Sequence, residues 1–266
     1  MTGIGSYDEI AARRYARVES RPDGFALRLA PRILRLFDGQ RPTRTPTMLD
    51  IGCGTGQLTD FFRAAGFATV GIDRAEAMLR HRVDDRSGHR GPVAVADASA
   101  LPLAGRFDLI TATFNVFNHL PNHAAAAALV DEVARVLAPN GRFVFDINTT
   151  AGLRYTAELV ETHTGADDVT TWTRRWSDGR LVLDASGAFV DDDGNWVRYE
   201  ERIVKIAITI ADIEGWFAAA GLGPPRWLSD DLITALREPE QHGVAYGVAG
   251  SAPIPDAAEA AAPAVE

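Results

Sequence analysis

The stretch MLDIGCGTGQLTDFF, residues 48–62, decides the fold of this chain. An apolar segment runs directly into three glycines at alternate positions, Gly52, Gly54 and Gly56, and a helix-like pattern follows. Glycine allows positive φ and a close approach of the backbone to a ligand, and the first N–H groups of the helix face the same loop. The stretch therefore predicts a nucleotide-binding loop between a strand and a helix.

Strand-like and helix-like segments alternate around this loop. Strands are predicted within 47–52, 67–73, 92–97, 106–114 and 142–147, with helices between them, the last of these helices over 122–141. Apolar strands that alternate with helices are typical of a parallel sheet covered on both faces. We expect an α/β core over 46–150 and 205–250, with a helical lid over 1–45 before it.

Between 151 and 204 the pattern changes, and we expect an inserted antiparallel β cap. Three alternating, β-branched and aromatic segments lie between 169 and 209, and the Asp-Gly pairs of SDGR and DDGN separate them. Asp-Gly is a strong hairpin signal. The sequence predicts a three-stranded meander whose aromatic residues offer a homodimer surface. The Ala- and Pro-rich tail, 251–266, is predicted to be disordered.

Composition excludes several classes of protein. No apolar run reaches the ~18 residues of a membrane span, and the first residues lack the apolar segment of a signal peptide. The single cysteine, Cys53, forms no internal disulfide, which suits a reducing compartment. A net charge of −9 disfavours binding to nucleic acid. We expect a cytoplasmic protein without membrane or nucleic-acid partners.

Three acids at the ends of successive strands restrict the nucleotide. A dinucleotide loop, G-x-G-x-x-G, needs glycine where this chain has Gln57. Asp50 would repel a pyrophosphate and suits a ligand with a cationic amino-acid end. Asp73 can accept hydrogen bonds from ribose hydroxyls, and Asp97 can hold an adenine edge. These residues make a Rossmann dehydrogenase a minor alternative.

Taken together, these segments resemble the class I S-adenosylmethionine-dependent methyltransferases. LDIGCGTG, VGIDRAEAML, VADASALPL and FDLITATFNVFNHLP are similar to the first four motifs of that family, and LAPNGRFVFDI to the turn that follows. The resemblance covers about 45–147. It implies a Rossmann-like, seven-stranded sheet with an antiparallel last strand, S-adenosylmethionine as cofactor, S-adenosylhomocysteine as product, and no metal.

The resemblance implies cofactor contacts from these motifs and from the first helix. YDEIAARRYA looks like the lid helix of small-molecule methyltransferases, although ordinary helix packing would also explain its tyrosines. The expected cofactor-binding residues are Tyr7, Tyr15, Asp50, Gly52, Cys53, Gly54, Gly56, Asp73, Arg74, Met78, Asp97, Ala98, Ser99 and Phe114.

The acceptor is predicted to lie beside FNVFNHLPN, after the fourth strand of the core. Methyl transfer needs alignment, desolvation and, for some acceptors, a base. This segment resembles a stretch of glycine and sugar-amine N-methyltransferases. His119 and Tyr15 are the predicted catalytic residues, although His119 could instead cap the turn. The predicted substrate contacts are Asn115, Asn118, His119 and Asn148.

The sequence therefore predicts a methyltransferase that acts on a small-molecule acceptor, with an amine nitrogen favoured. The cap supports an amine, because residues 167–201 hold nine Asp or Glu against four Arg. Natural-product or small-metabolite tailoring fits such an enzyme. The alternatives are a small-molecule O-methyltransferase and a noncatalytic protein that binds S-adenosylmethionine.

Overall fold

The computed structural model of this protein describes residues 7–19, 21, 24–37, 42–82 and 91–250. The tail over 251–266 and the first six residues of the expected lid lie outside the described residues. None of the helices in the described ranges has the length and apolar character that crossing a membrane requires.

The described residues form two sheets and the helices around them. The strands are β1 Thr47–Ile51, β2 Ala68–Asp73, β3 Val93–Val95, β4 Phe107–Ala112, β5 Leu137–Asn148, β6 Val160–Thr164, β7 Asp168–Ser177, β8 Arg180–Val190, β9 Trp196–Ile206, β10 Arg226–Leu228 and β11 Val244–Gly250. The helices are α1 Glu9–Glu19, α2 Phe25–Phe37, α3 Gln57–Ala64, α4 Glu76–Arg80, α5 Val116–His119, α6 His123–Val136, α7 Thr150–Thr156 and α8 Ile210–Ala219.

The larger sheet has seven strands in the order β10-β11-β5-β4-β1-β2-β3. β1 to β5 run parallel, and β11 lies antiparallel to both β5 and β10. The chain passes outward from β1 to β3 and then returns to place β4 on the other side of β1. This reversal is the switch point at which open α/β sheets bind ligands, beyond the carboxyl ends of the strands. The predicted Rossmann-like fold is confirmed.

Helices cover both faces of this sheet. Neighbouring residues of β1 point to opposite sides, because successive side chains of a strand alternate. Leu49 packs in a cluster with Val133 of α6 and Phe217 of α8. Met48 packs in another cluster with Ile33 of α2 and Phe62 of α3. Double coverage explains why the strands of the core read as continuous apolar runs.

The helix predicted over 122–141 ends earlier than expected. α6 ends at Val136, and β5 already begins at Leu137, which pairs with Phe107 of β4. The Arg106 guanidinium donates to the Leu137 carbonyl at 2.8 Å. Pro139 disfavours helical backbone at the residue before it, so the chain leaves the helix ahead of the proline.

The cap is a separate antiparallel sheet of four strands, β6-β7-β8-β9, where the sequence analysis predicted three. The strand that the prediction missed is β6, which is exposed along its whole length. Its sequence, VETHT, gives no buried face to detect. The cap contacts α1, because Arg14 donates to Thr170 Oγ1 at 2.9 Å and lies 3.4 Å from the Asp168 carboxylate. Trp196 is 57% exposed on the outer side, and the homodimer surface stays a prediction.

Candidate functional site

A cavity of about 890 Å³ lies at the carboxyl ends of β1, β2, β3 and β4, and we call it the strand-tip cavity. This volume includes space that is open to solvent. The wall combines the glycine loop, the strand ends and two tyrosines of the lid: Tyr7, Tyr15, Gly52, Gly54, Ile72, Asp73, Arg74, Ala75, Met78, Ala96, Asp97, Ala98, Thr113, Phe114, Val116, His119, Leu120 and Pro121.

The backbone conformation of the glycine loop requires residues without side chains. Gly52 has φ +70°, and a Cβ there would come within 2.6 Å of Val116 Cγ2. Gly54 has φ +55°, and its N–H donates to the Asp73 carboxylate at 2.9 Å. The left-handed backbone and the close approach therefore explain the two glycines that line the cavity.

Asp73 is held at the end of β2 by backbone donors. One carboxylate oxygen accepts from Gly54 N at 2.9 Å and the other from Ala75 N at 2.8 Å. Burial raises the pKa of this carboxyl group. Each carboxylate oxygen can accept a further hydrogen bond. A fixed carboxylate in the cavity wall suits a pair of neighbouring hydroxyls, such as those of a ribose.

The next strand end presents Asp97 and an apolar surface. Asp97 accepts from Ser99 Oγ at 2.7 Å and Ser99 N at 2.8 Å, and these bonds lower the pKa of its carboxyl group. Ser99 does not line the cavity and acts by orienting Asp97. Ala98 and Met78 lie in the same wall. A flat, partly apolar base fits this end.

Three predicted cofactor residues lie behind the wall of the strand-tip cavity. Asp50 is buried and accepts from Thr111 Oγ1 at 2.7 Å and Thr59 Oγ1 at 3.1 Å, and burial raises its pKa to about 7. Its oxygens therefore accept from hydroxyls of β4 and α3, and Asp50 does not line the strand-tip cavity. Cys53 lies against Gly71, and Gly56 is the N-cap residue directly before α3.

A strained turn after β4 shapes the cavity wall. Phe114 and Asn115 have φ of 69° and 61°, a conformation that costs on the order of 1–3 kcal/mol for such residues. The buried Asp146 accepts from Phe114 N at 2.6 Å and Asn115 N at 3.0 Å. Burial raises the pKa of Asp146 to about 6. Asp146 was not predicted as a site residue. The only indication of it in the sequence is an acid inside the apolar strand FVFDI.

His119 lies in the wall next to the tyrosines of the lid. Its ring centroid is 6.2 Å from that of Tyr7, and Tyr15 lies edge-to-face against Phe114 at 5.7 Å. Burial, followed by the charges of Lys205 and Arg74, lowers the pKa of His119 to about 3. Burial also raises the pKa of both tyrosines. The site thus contains a neutral imidazole and two protonated phenols.

The predicted substrate asparagines do not line the strand-tip cavity but join the core to the cap. Asn118 is fully buried, donates to the carbonyls of Ile206 at 2.9 Å and Asn148 at 3.1 Å, and accepts from Asn148 N at 2.8 Å. Lys205 Nζ donates to Asn148 Oδ1 at 2.8 Å and Asn115 Oδ1 at 3.1 Å. Buried polar groups need such partners, so the fold itself uses the hydrogen bonds of these amides, although Asn148 also lines a second cavity under the cap.

Two residues of β9 lie on the inner face of the cap and were not predicted from the sequence. The alternation along β9 puts Glu201 and Lys205 on the same side as the buried Tyr199 and Ile203. Glu201 stands opposite Ala185 of β8. Its Oε1 is buried and accepts no hydrogen bond within the described part of the chain. Finding these residues needed the register of the cap, which the sequence alone does not supply.

Comparison with known proteins agrees with this site. Residues 48–141 match the family model described as a methyltransferase domain. An S-adenosylmethionine-dependent methyltransferase from Clostridium acetobutylicum superposes with a TM-score of 0.78 at 20% identity, over 91% of this chain and 98% of that one. An amino pentose methyltransferase from Micromonospora echinaspora, solved with the cofactor bound, gives 0.66 at 22% identity, over 94% and 99%.

Curated relatives of this chain are also named methyltransferases. The cypemycin N-terminal methyltransferase of a Streptomyces species is 27% identical over 151 residues, which cover 57% of this chain and 60% of that relative. Other relatives are O-methyltransferases. The matched segment holds the glycine loop, Asp73 and Asp97, and the solved structures share the fold. Residues 48–141 therefore hold a methyltransferase domain, and the chain has the fold of S-adenosylmethionine-dependent methyltransferases of known structure.

Proposed function

We propose that this protein methylates the amine nitrogen of a small molecule in natural-product or small-metabolite tailoring. Support comes from the strand-tip cavity, from two groups beside it that suit an amine, and from N-methyltransferases among the relatives. The observation that carries the choice of nitrogen is the buried Oε1 of Glu201, which has no hydrogen-bond partner among the described residues.

The strand-tip cavity fits S-adenosylmethionine. The cradle at Gly52 leaves no space for a Cβ, Asp73 presents a fixed carboxylate for ribose hydroxyls, and Asp97 with Ala98 suits adenine. The Tyr15 phenol lies over Gly54, at the end where the methionine part belongs. When bound, the cofactor supplies an electrophilic methyl group on a sulfonium sulfur. The residues of the chain then have to align the acceptor and exclude water.

His119 suits the alignment of an amine. A pKa of about 3 means that its ring is neutral and holds an added proton poorly at physiological pH. A neutral ring nitrogen can still accept a hydrogen bond from an N–H of the acceptor. Such a bond fixes the direction of the nitrogen lone pair, so we assign His119 to orientation and not to deprotonation.

Glu201 is suited to accept a proton from an amine. Burial, followed by the charge of Glu201, raises the pKa of Tyr7, so this carboxylate acts electrostatically on a phenol that lines the strand-tip cavity. Burial raises the pKa of Glu201 to about 7, whereas the charge of Arg14 lowers it. A base whose pKa is near the working pH is effective with an ammonium group. Deprotonating an alcohol would span a far larger pKa gap.

A labelled-donor assay with paired acceptors tests this function. The donor carries a ¹³C methyl group, and each acceptor pair differs only in an amine or a hydroxyl at one position. We expect label on nitrogen. Glu201→Gln should lower kcat/KM about 10- to 100-fold, since one hydrogen bond to a charged group is worth about 1.5–3 kcal/mol.

Glu200→Gln is the matched control, because Glu200 lies on the same strand but on the exposed side. It should change kcat/KM by no more than about twofold. Label only on oxygen would establish the O-methyltransferase alternative. Tight cofactor binding without transfer to any acceptor would favour the noncatalytic alternative.

A further inference from the structure

A second cavity lies under the cap sheet, and we call it the cap cavity. It measures about 1210 Å³ and is bounded by α7, by the inner face of the cap and by the segment before β11. Asn148, Thr156, Arg174, Lys205 and Gln241 supply polar groups to its wall. The described wall shares no residue with the strand-tip cavity.

Two basic side chains face the cap cavity. The side chain of Arg174 is 14% exposed, and its Nη2 lies 2.6 Å from Glu161 Oε2. Its other terminal nitrogen, Nη1, is buried and has no acceptor within the described residues. Lys205 Nζ donates to Asn148 and Asn115, and an ammonium group has three N–H donors in all. Donor capacity is therefore left over on both cations.

Both cations lie on the inner face of the cap, Arg174 on β7 and Lys205 on β9. Arg174 aligns with Leu183 of β8 and, through it, with Ile203 of β9, two residues from Lys205. β8 therefore lies between the two strands, and both side chains reach the wall of the same cavity from either side of it. Burial lowers the pKa of Lys205 to about 8, the nearby Asp146 opposes this, and the charge of Arg174 adds to the lowering. Two partly buried like charges repel each other, so an anion between them would be stabilising.

We propose that the cap cavity binds an anionic group of the methyl acceptor, with Arg174 and Lys205 as the residues that recognise it. The acceptor class is then an amine that also carries a phosphate or a carboxylate, and this inference rests on the proposed function. Lys205 links the two cavities, since it holds Asn115, the residue after Phe114 of the strand-tip wall.

The distance along β9 sets the size of such an acceptor. Glu201 and Lys205 are four residues apart on one face of the strand. At about 3.3 Å per residue, they lie about 13 Å apart. An acceptor that bridges them would carry its amine and its anionic group at a separation of this order.

Anion binding without turnover tests this inference. Inorganic phosphate, inorganic pyrophosphate and acetate are titrated by calorimetry into the protein saturated with S-adenosylhomocysteine. We expect Arg174→Gln to weaken the affinity for the anion about 10- to 100-fold, because the variant loses one hydrogen bond to a charged group. Lys205→Met should weaken it by a similar factor, and Arg174→Lys should recover part of the loss.

Arg175→Gln is the matched control, because Arg175 is the next residue of β7 and its side chain is 56% exposed. It should change the affinity by no more than about twofold. Melting curves of all variants separate a loss of binding from a loss of folding. Preference for the phosphates over acetate identifies a phosphorylated acceptor, and the reverse a carboxylated one.

Two results would overturn the inference. One is that none of the three anions binds the wild-type protein up to about 20 mM, which corresponds to a binding free energy weaker than about 2.3 kcal/mol. The other is that Arg174→Gln and Arg175→Gln weaken binding equally, which would indicate a general effect of charge. Neither result depends on turnover. A failure of the anion site and a failure of methyl transfer to nitrogen are therefore distinguishable.

Discussion

Replacing Asp73 by alanine should remove cofactor binding while the protein stays folded. In the structure the carboxylate ends β2, lines the strand-tip cavity and accepts one backbone hydrogen bond on each oxygen, from Gly54 and from Ala75. The free lone pairs suit two ribose hydroxyls. The substitution removes the carboxylate from the ligand and from the glycine loop at once.

The expected magnitude follows from the number of bonds lost. Two hydrogen bonds from hydroxyls to a carboxylate, at about 1.5–3 kcal/mol each, give about 3–6 kcal/mol. The dissociation constant for S-adenosylhomocysteine should therefore rise about 10²- to 10⁴-fold. The two backbone N–H groups lie beside an open cavity and can bind water, so the free energy of unfolding should fall by only about 1–3 kcal/mol.

Calorimetric titration and thermal melting measure the two effects separately. Asp231→Ala is the control, because Asp231 also accepts from two backbone N–H groups, of Ile233 at 2.8 Å and Thr234 at 2.9 Å, and it does not line the cavity. It should lower stability and leave affinity unchanged. Unchanged affinity in Asp73→Ala, or an equal loss in both variants, would refute the assignment of Asp73 to the ribose.

Further variants test the rest of the site. Gly52→Ala should lower the unfolding free energy by about 1–3 kcal/mol, measured by denaturant titration, because its Cβ would meet Val116 and its φ is positive. His119→Ala should lower kcat about 10- to 100-fold and leave cofactor affinity within about twofold, since it removes one orienting bond; an unchanged kcat would assign the ring to packing. Asp50 binds its proton more tightly when folded, with a pKa of about 7, so stability should fall as pH rises from about 4 through 7. Asp50→Asn should flatten this slope, and an unchanged slope would place the titration elsewhere.

Local sequence predicted the part of the site that local structure builds. The glycine loop and Asp73 follow directly from a strand, a tight turn and a helix, each readable within about ten residues. The tyrosines of the lid also line the cavity as expected. Asp50 shows what local sequence does not predict. The direction of its carboxylate depends on the hydroxyls of Thr59 and Thr111, which lie beside it only in the folded protein.

The acceptor side depends on long-range register. Asn118 lies next to His119 in sequence but points away from the cavity, to the carbonyl of Ile206 in the cap. Glu201 and Lys205 face the inner side of the cap only because β9 has one particular pairing with β8. A shift by one residue would turn both outward. Neither the composition of the cap nor its hairpin signals determine that pairing.

The nature of the methylated atom tests the central claim most directly. The wild-type protein is incubated with S-adenosylmethionine that carries a ¹³C methyl group and with amine acceptors that each bear a hydroxyl and a phosphate or carboxylate. Two-dimensional ¹H–¹³C NMR of the product distinguishes an N-methyl from an O-methyl group. The account predicts label on nitrogen, and label on oxygen alone would contradict it.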